Sequence, residues 1–300
     1  MRLSALVGSS LSELAREGRA VKVANDLRWG EGPAYIKHLD QWVFSDIPND
    51  RVLSYSEDRG LAVHRAPANF ANGHYPAIDG SLLVCEHLTR SVVRIDTDGL
   101  RTVLCSRFEA RRLNSPNDLV EAADGAIWFS DPTYGILTDL EGKRADAEQA
   151  MNRVYRFDPA TGELSAEVED LSMPNGLCFS PDGQTLYVAD SGAEMGPEIG
   201  FDPDGPRDVF RFDVGRNGRL TGAKVHFCRI EHGVPDGMRC SPDGHLWVAT
   251  GAGIECFAAG GDFLGRIATG GTASNLAFGG RNGDKAMVTT EKAAWLIRFG

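Results

Sequence analysis

Apolar runs of six or seven residues recur along the chain, and most follow a turn built on Asp-Gly or Asn-Gly. The pairs are Asp79-Gly80, Asp124-Gly125, Asp182-Gly183, Asp243-Gly244 and Asn282-Gly283. Glycine takes positive φ without steric cost, so each pair marks a hairpin between two strands. The runs that follow are "SLLVCE", "AIWFSD", "QTLYVAD", "HLWVAT" and "KAMVTTE", and "QWVFSD" follows Asp40 in the same manner. A further run trails each copy: "RVLSY", "VVRID", "RVYRFD", "DVFRFD", "IECFA" and "WLIRF". Outer segments such as "LRTVLCS" and "LTGAKVHFCRI" add a fourth strand.

Four strands repeated six times is the pattern of an all-β, six-bladed β-propeller with four-stranded blades. The second strands end at positions 46, 86, 131, 190, 250 and 291, and the long steps, 59 and 60, mark insertions in blades 3 and 4. The last unit stops one strand short at Gly300, while "AVKVA" (Ala20–Ala24) stands alone near the start. That segment is expected to supply the outer strand of the last blade and close the ring, which leaves no open edge. Residues 1–300 then form a single domain with an N-terminal extension over 1–18.

Seven residues before each turn stand Asn72, Asn117, Asn175, Asp236 and Asn275, and Glu31 takes the place in the first unit, where the spacing stretches by two. Each opens an innermost strand, so all six are expected at one mouth of the central channel. Singly, such residues are ordinary strand openers after loops. Together they form a set of hard oxygen donors without thiolate or imidazole, which suits Ca²⁺, Mg²⁺ or Mn²⁺ over tetrahedral zinc.

Composition narrows the partners. A formal net charge of −11 argues against nucleic acid, and no apolar stretch reaches membrane-spanning length. Six scattered cysteines without a Cys-x-x-Cys pair read as reduced core residues. No sustained apolar segment of a signal peptide is present, so a cytoplasmic location and a monomer or small homo-oligomer are expected.

From about Val21 onward the chain resembles the gluconolactonase/regucalcin (senescence marker protein) family of six-bladed propellers. The resemblance is carried in order by "GEGPAY", "NSPNDLV", "IWFSDPTYG", "MPNGLCFSPDGQTLYVAD" and "VPDGMRCSPDGHLWV". It implies that Glu31, Asn175 and Asp236 bind one divalent metal, with Asp236 doubling as general base and Asn117 completing the site or contacting substrate. Ca²⁺ comes first, with Mg²⁺, Mn²⁺, Zn²⁺ or Fe²⁺ as alternatives. It implies hydrolysis of a sugar lactone such as glucono-1,5-lactone. Regucalcin-like members carry Arg two residues before the Asn where this chain has Ser115, so their substrate contacts do not transfer; "NSPND" and "DPTYG" resemble the bacterial gluconolactonase branch.

Several residues extend the expected site. Asp46, Glu86, Asp131, Asp190, Thr250 and Glu291 end or follow the second strands and are placed one layer out at the same mouth, with Asp131 and Asp190 as substrate contacts. His87, on the same rim, is a substrate contact or a hydrogen-bonded loop residue. The insertions Pro132–Asn152 and Ser191–Asp208 are candidate lids, bringing Tyr134, Met195 and Phe201 to the pocket. No Gly-x-Ser-x-Gly elbow occurs, and Ser130 and Ser191 are polar lining without a histidine partner. Two readings compete with lactone hydrolysis: another ester or phosphotriester on the same metal, and a calcium-binding propeller without catalysis.

Overall fold

The computed structural model of the chain describes residues 2–196 and 199–300. Six four-stranded antiparallel sheets follow one another around a ring. Blade 4 shows the repeat: Pro174–Phe179 innermost, then Thr185–Asp190, Asp208–Val214 and Leu220–Arg229 at the rim. The turn "SPDG" between its first two strands closes through Gly183 N–H to Ser180 O at 2.9 Å, with Gly183 at φ 69°. Asp182 accepts from the Ser180 hydroxyl and the Gln184 N–H, so the turn carries its own hydrogen bonds.

Alternation along each inner pair of strands serves two neighbours at once. In "IWFSD" of blade 3, Ile127 and Phe129 pack toward blade 2 with Leu83, Cys85 and Val92. Trp128 between them packs toward blade 4 with Leu177, Val188 and Phe212. Both faces are buried, so the runs read as continuous apolar stretches rather than as alternating ones. The rim strands, such as Gly60–Arg65, are largely exposed.

Ala20–Ala24 pairs with Ala294–Arg298 as the outer strand of blade 6, with Val21 opposite Leu296. The ring closes as the one-strand deficit predicts. Ahead of it, a 3-10 turn (Leu3–Leu6) and a short helix (Leu11–Arg16) bury Leu3, Leu6, Leu11 and Leu14 against blades 5 and 6. A small hairpin, Arg107–Phe108 with Arg111–Arg112, precedes blade 3 and has no counterpart in the repeat. All six cysteines are free, five of them buried. Among the described residues no helix is long and apolar enough to cross a membrane.

Candidate active site

The innermost strands begin at the channel, and the glycine after four of the six polar openers explains how close they come. A Cβ on Gly32 would lie 2.2 Å from Asn72 O, one on Gly176 2.2 Å from Asp236 O, and one on Gly237 2.0 Å from the Asn275 carboxamide. Gly73 is equally confined, 2.7 Å from Asn117 O. Any side chain here would push the blades apart. The motif Glu/Asn/Asp-Gly thus places a polar side chain at the mouth and a bare backbone against the next blade.

Serines lock the same ring. Ser45 Oγ donates to Asn72 O at 3.0 Å, Ser191 Oγ to Pro235 O at 2.5 Å and Ser274 Oγ to Gly30 O at 2.5 Å. Asp118 N–H donates to Ser130 Oγ. Ser130 and Ser191, expected as polar lining, are spent on backbone and do not line the cavity.

A cavity of about 410 Å³ opens at this mouth and is lined by Glu31, Asn72, Asn117, Tyr134, Asn175 and Asp236. Trp29, Ile47, Leu140 and Val234 form its apolar wall, and Glu141 and Glu194 complete its acidic side. Five of the eight residues expected in the site therefore share one wall. Asp131, Asp190 and His87 do not reach it.

Physical reasons separate those three. Asp131 accepts the Asn114 N–H at 2.8 Å, and Asp190 accepts the Ser172 and Met173 N–H groups at 3.0 and 2.9 Å. Asp46 does the same for Arg28 N–H at 2.9 Å. Each holds the loop that leads into its own blade's innermost strand, so these carboxylates anchor the ring rather than face a ligand. Burial pushes Asp131 up to about 7.

His87 lies beneath the first insertion, where a Cβ on Gly135 would sit 2.4 Å from its ring. Its Nδ1 donates to Glu141 O at 2.7 Å, which leaves Nε2 to accept from Asn72 Nδ2 at 3.3 Å. Burial lowers its pKa to about 4, so the ring is neutral. This fixes the Asn72 amide with Oδ1 buried and without a partner among the described residues.

The insertions do cover the mouth, though with other residues than expected. Met195 and Phe201 are exposed and absent from the wall, whereas Leu140, Glu141, Glu194 and Gly196 form it. Tyr134 opens a one-turn helix, Tyr134–Leu137, and its hydroxyl donates to Ser191 O and Glu194 O at 3.2 and 3.1 Å, joining the two insertions. Ser115 holds this arrangement, accepting Gly135 N–H at 2.9 Å and donating to Pro132 O at 2.6 Å. Within Ser191–Asp208, positions 197 and 198 lie outside the described residues.

Electrostatics concentrate on Glu31 and Asp236. Glu31 Oε2 accepts Gly32 N–H at 2.7 Å and Asn275 Nδ2 at 3.0 Å, yet burial pushes its pKa up to about 8. Asp236 is held well above the carboxylate range by burial first, then by Glu31, Asp118 and Glu141, while a hydrogen bond from Asn175 opposes this. Beneath them Asp118 pairs with the Arg239 guanidinium at 3.3 Å. Asp118 follows Asn117 where four other blades have glycine and blade 6 has Leu276, and its role is not visible in the repeat.

Two buried carboxylates and the amide oxygens of Asn72, Asn117 and Asn175 fit a hard divalent cation, which would relieve the repulsion that raises both acids. Among the described residues no three His, Cys, Asp or Glu side chains are grouped to hold a metal. Any ion here would therefore rest on carboxamide oxygens as well as on the two acids.

Residues 29–292 match the family described as SMP-30/Gluconolactonase/LRE-like region. The gluconolactonase of Zymomonas mobilis is 32% identical over 280 residues, covering 86% of this chain and 75% of that one. A solved gluconolactonase of Xanthomonas campestris superposes with a TM-score of 0.84 at 36% identity, covering 94% of this chain and 89% of its own. A regucalcin of Agrobacterium tumefaciens, described as calcium-binding, shares the fold with a TM-score of 0.71 at 21% identity over 92% of this chain and 93% of its own.

Proposed function

The chain belongs to the SMP-30/gluconolactonase/LRE-like family and is a lactonase; from that premise we propose that it opens a sugar lactone, glucono-1,5-lactone or a related aldonolactone, with one divalent cation at Glu31, Asn175 and Asp236. The observation that carries this reading is the convergence of those residues with Asn117 on one wall of a 410 Å³ cavity. That space suits a six-membered lactone ring with its hydroxyls.

A divalent cation bound at this set supplies Lewis acidity for the lactone carbonyl and lowers the pKa of nearby water. The chain's own groups do the rest. Asp236, oriented by the Asn175 hydrogen bond, takes a proton from the attacking water as its oxygen bonds to the carbonyl carbon. The ring C–O bond then breaks and the proton returns to the departing ring oxygen, leaving a hydroxy acid without a covalent enzyme intermediate. Asn72 and Asn117 offer carboxamides to the sugar hydroxyls, while Trp29, Ile47, Leu140 and Val234 keep bulk water from the ring face.

The test is lactone opening followed by pH indicator on EDTA-stripped enzyme, with Ca²⁺, Mg²⁺, Mn²⁺, Zn²⁺ or Fe²⁺ returned singly. The substrates are glucono-1,5-lactone, a pentonolactone and one phosphotriester. Loss on stripping and recovery with a cation on the sugar lactone supports the proposal. Recovery on the phosphotriester alone would replace the substrate, and full activity without metal would remove the cation.

A further inference from the structure

The cavity wall carries four acidic side chains, Glu31, Glu141, Glu194 and Asp236, and no Lys, Arg or His among its described residues. A divalent cation at Glu31 and Asp236 would match two of these charges. Glu141 and Glu194 remain, and both come from the insertions rather than from the ring.

Both are built into place. Gly142, next to Glu141, packs on Gly135, where a Cβ would lie 2.1 Å from Gly135 O, and Lys143 N–H donates to Gly135 O at 3.1 Å. The Glu141 carbonyl accepts from His87. Glu194 N–H donates to Ser191 O at 2.9 Å, its carbonyl accepts from Tyr134, and its carboxylate accepts Gly196 N–H at 3.2 Å. Two insertions, joined through the Tyr134 hydroxyl, thus hold carboxylates toward one space, with no Lys, Arg or His beside them among the described wall residues.

The Glu141 carboxyl is itself a probe of that space. Its pKa rises to about 7, by burial first and by the charge of Glu194 second. A second anion brought into the same volume meets the same two obstacles, lost solvation and like charge.

We propose that Glu141 and Glu194 make the site selective by charge: it accepts uncharged polyhydroxy lactones and rejects lactones bearing a carboxylate or phosphate, an inference resting on the lactonase reading of the cavity. Their acceptor oxygens suit sugar hydroxyls, and repulsion excludes anionic competitors. The same field weakens retention of the aldonate product, which carries the charge its substrate lacked.

Steady-state rates on cation-loaded enzyme, with glucono-1,5-lactone against its 6-phospho derivative and a glucarolactone, test this in wild type, Glu141→Gln, Glu194→Gln and the double variant. Wild type is expected to favour the uncharged lactone at least about tenfold in kcat/KM, and the double variant to lose most of that ratio through KM for the anions. Rising salt should lower KM for the anionic lactones in wild type and leave it flat in the double variant. An unchanged ratio in the double variant, or a wild type that prefers an anion, overturns the proposal. Calorimetric binding of gluconate and of uncharged glucitol, with and without cation, separates this from failure of the lactonase reading. Gluconate should bind more tightly to the double variant than to wild type whether or not any lactone is turned over, and equal binding counts against the proposal.

Discussion

Asp236 and Glu31 share a cavity wall but differ in what touches them, and substitution should separate their roles. Asp236→Asn keeps an oxygen and the shape but loses the proton acceptor. Turnover should fall by about 10²–10⁴-fold with the thermal midpoint preserved, checked by initial rates beside calorimetry; retained turnover would remove Asp236 as the base. Glu31→Gln removes one full ligand charge and keeps the Gly32 and Asn275 contacts to within an amide. Cation affinity should drop by about tenfold or more, read by isothermal titration, and an unchanged Kd would take Glu31 out of the site. Both residues, with Asn117 and Asn175, are legible in the sequence because the repeat puts Asn117, Asn175 and Asp236 at a fixed distance from a turn and Glu31 at the equivalent place with the spacing stretched by two. Glu141, Glu194, Trp29 and Leu140 are not legible, because they lie on insertions or between strands, where no period fixes a direction. Asp131 and Asp190 show the opposite error: the period places their backbones at the mouth, but rotation toward loop N–H groups takes the carboxylates away.

At the scale of the strand and its loop, the glycine that follows four of the six openers matters more to the ring than to the hairpin. Gly237→Ala would place a methyl 2.0 Å from Asn275 and Gly176→Ala one 2.2 Å from Asp236 O. Each should cost about 2 kcal/mol or more by overpacking and weaken the site together with the fold. Gly183→Ala, at the outer turn with nothing within 4 Å but φ 69°, should destabilise by strain alone and leave cation affinity intact. Calorimetry with metal titration distinguishes the pair. His87 couples an insertion to the ring, and its ordinary pKa of 6.5 falls to about 4 in the fold. An unfolded chain then takes up the proton first, so this stabilising share is complete above pH 6.5 and is lost as pH falls toward 4. His87→Gln removes that dependence. The stability gap between wild type and variant should shrink by about 2 kcal/mol from pH 8 to pH 5, measured by denaturant melts, and a gap that is constant with pH would show His87 is not buried neutral.

The whole ring depends on a strand drawn from the opposite end of the chain. The sequence makes this visible as a deficit, since the last unit has three strands and a lone alternating segment stands near the start. The seat of the residues before it is not visible, because a short helix and a 3-10 turn have no place in the repeat. In the structure their leucines fill a groove beside Trp247, Ile254 and Ile267, and backbone bonds from Gly8 to Arg266 and from Leu11 to Ala268 fasten them. Two truncations should therefore behave differently. Removing residues 2–18 strips an apolar patch but keeps Val21 paired with Leu296, so the ring stays closed with a lower thermal midpoint and unchanged cation affinity. Removing residues 2–24 also exposes the backbone edge of Ala294–Arg298 and removes the Lys22–Trp295 contact, turning blade 6 into an open template for another chain. That protein should self-associate in sedimentation, and because Asn275 and Ser274 lie on the same blade, bonded to Glu31 and Gly30, it should lose cation affinity as well. If the longer truncation stays monodisperse and binds metal as tightly as the shorter one, closure by Ala20–Ala24 is dispensable and the site is held by the inner strands alone.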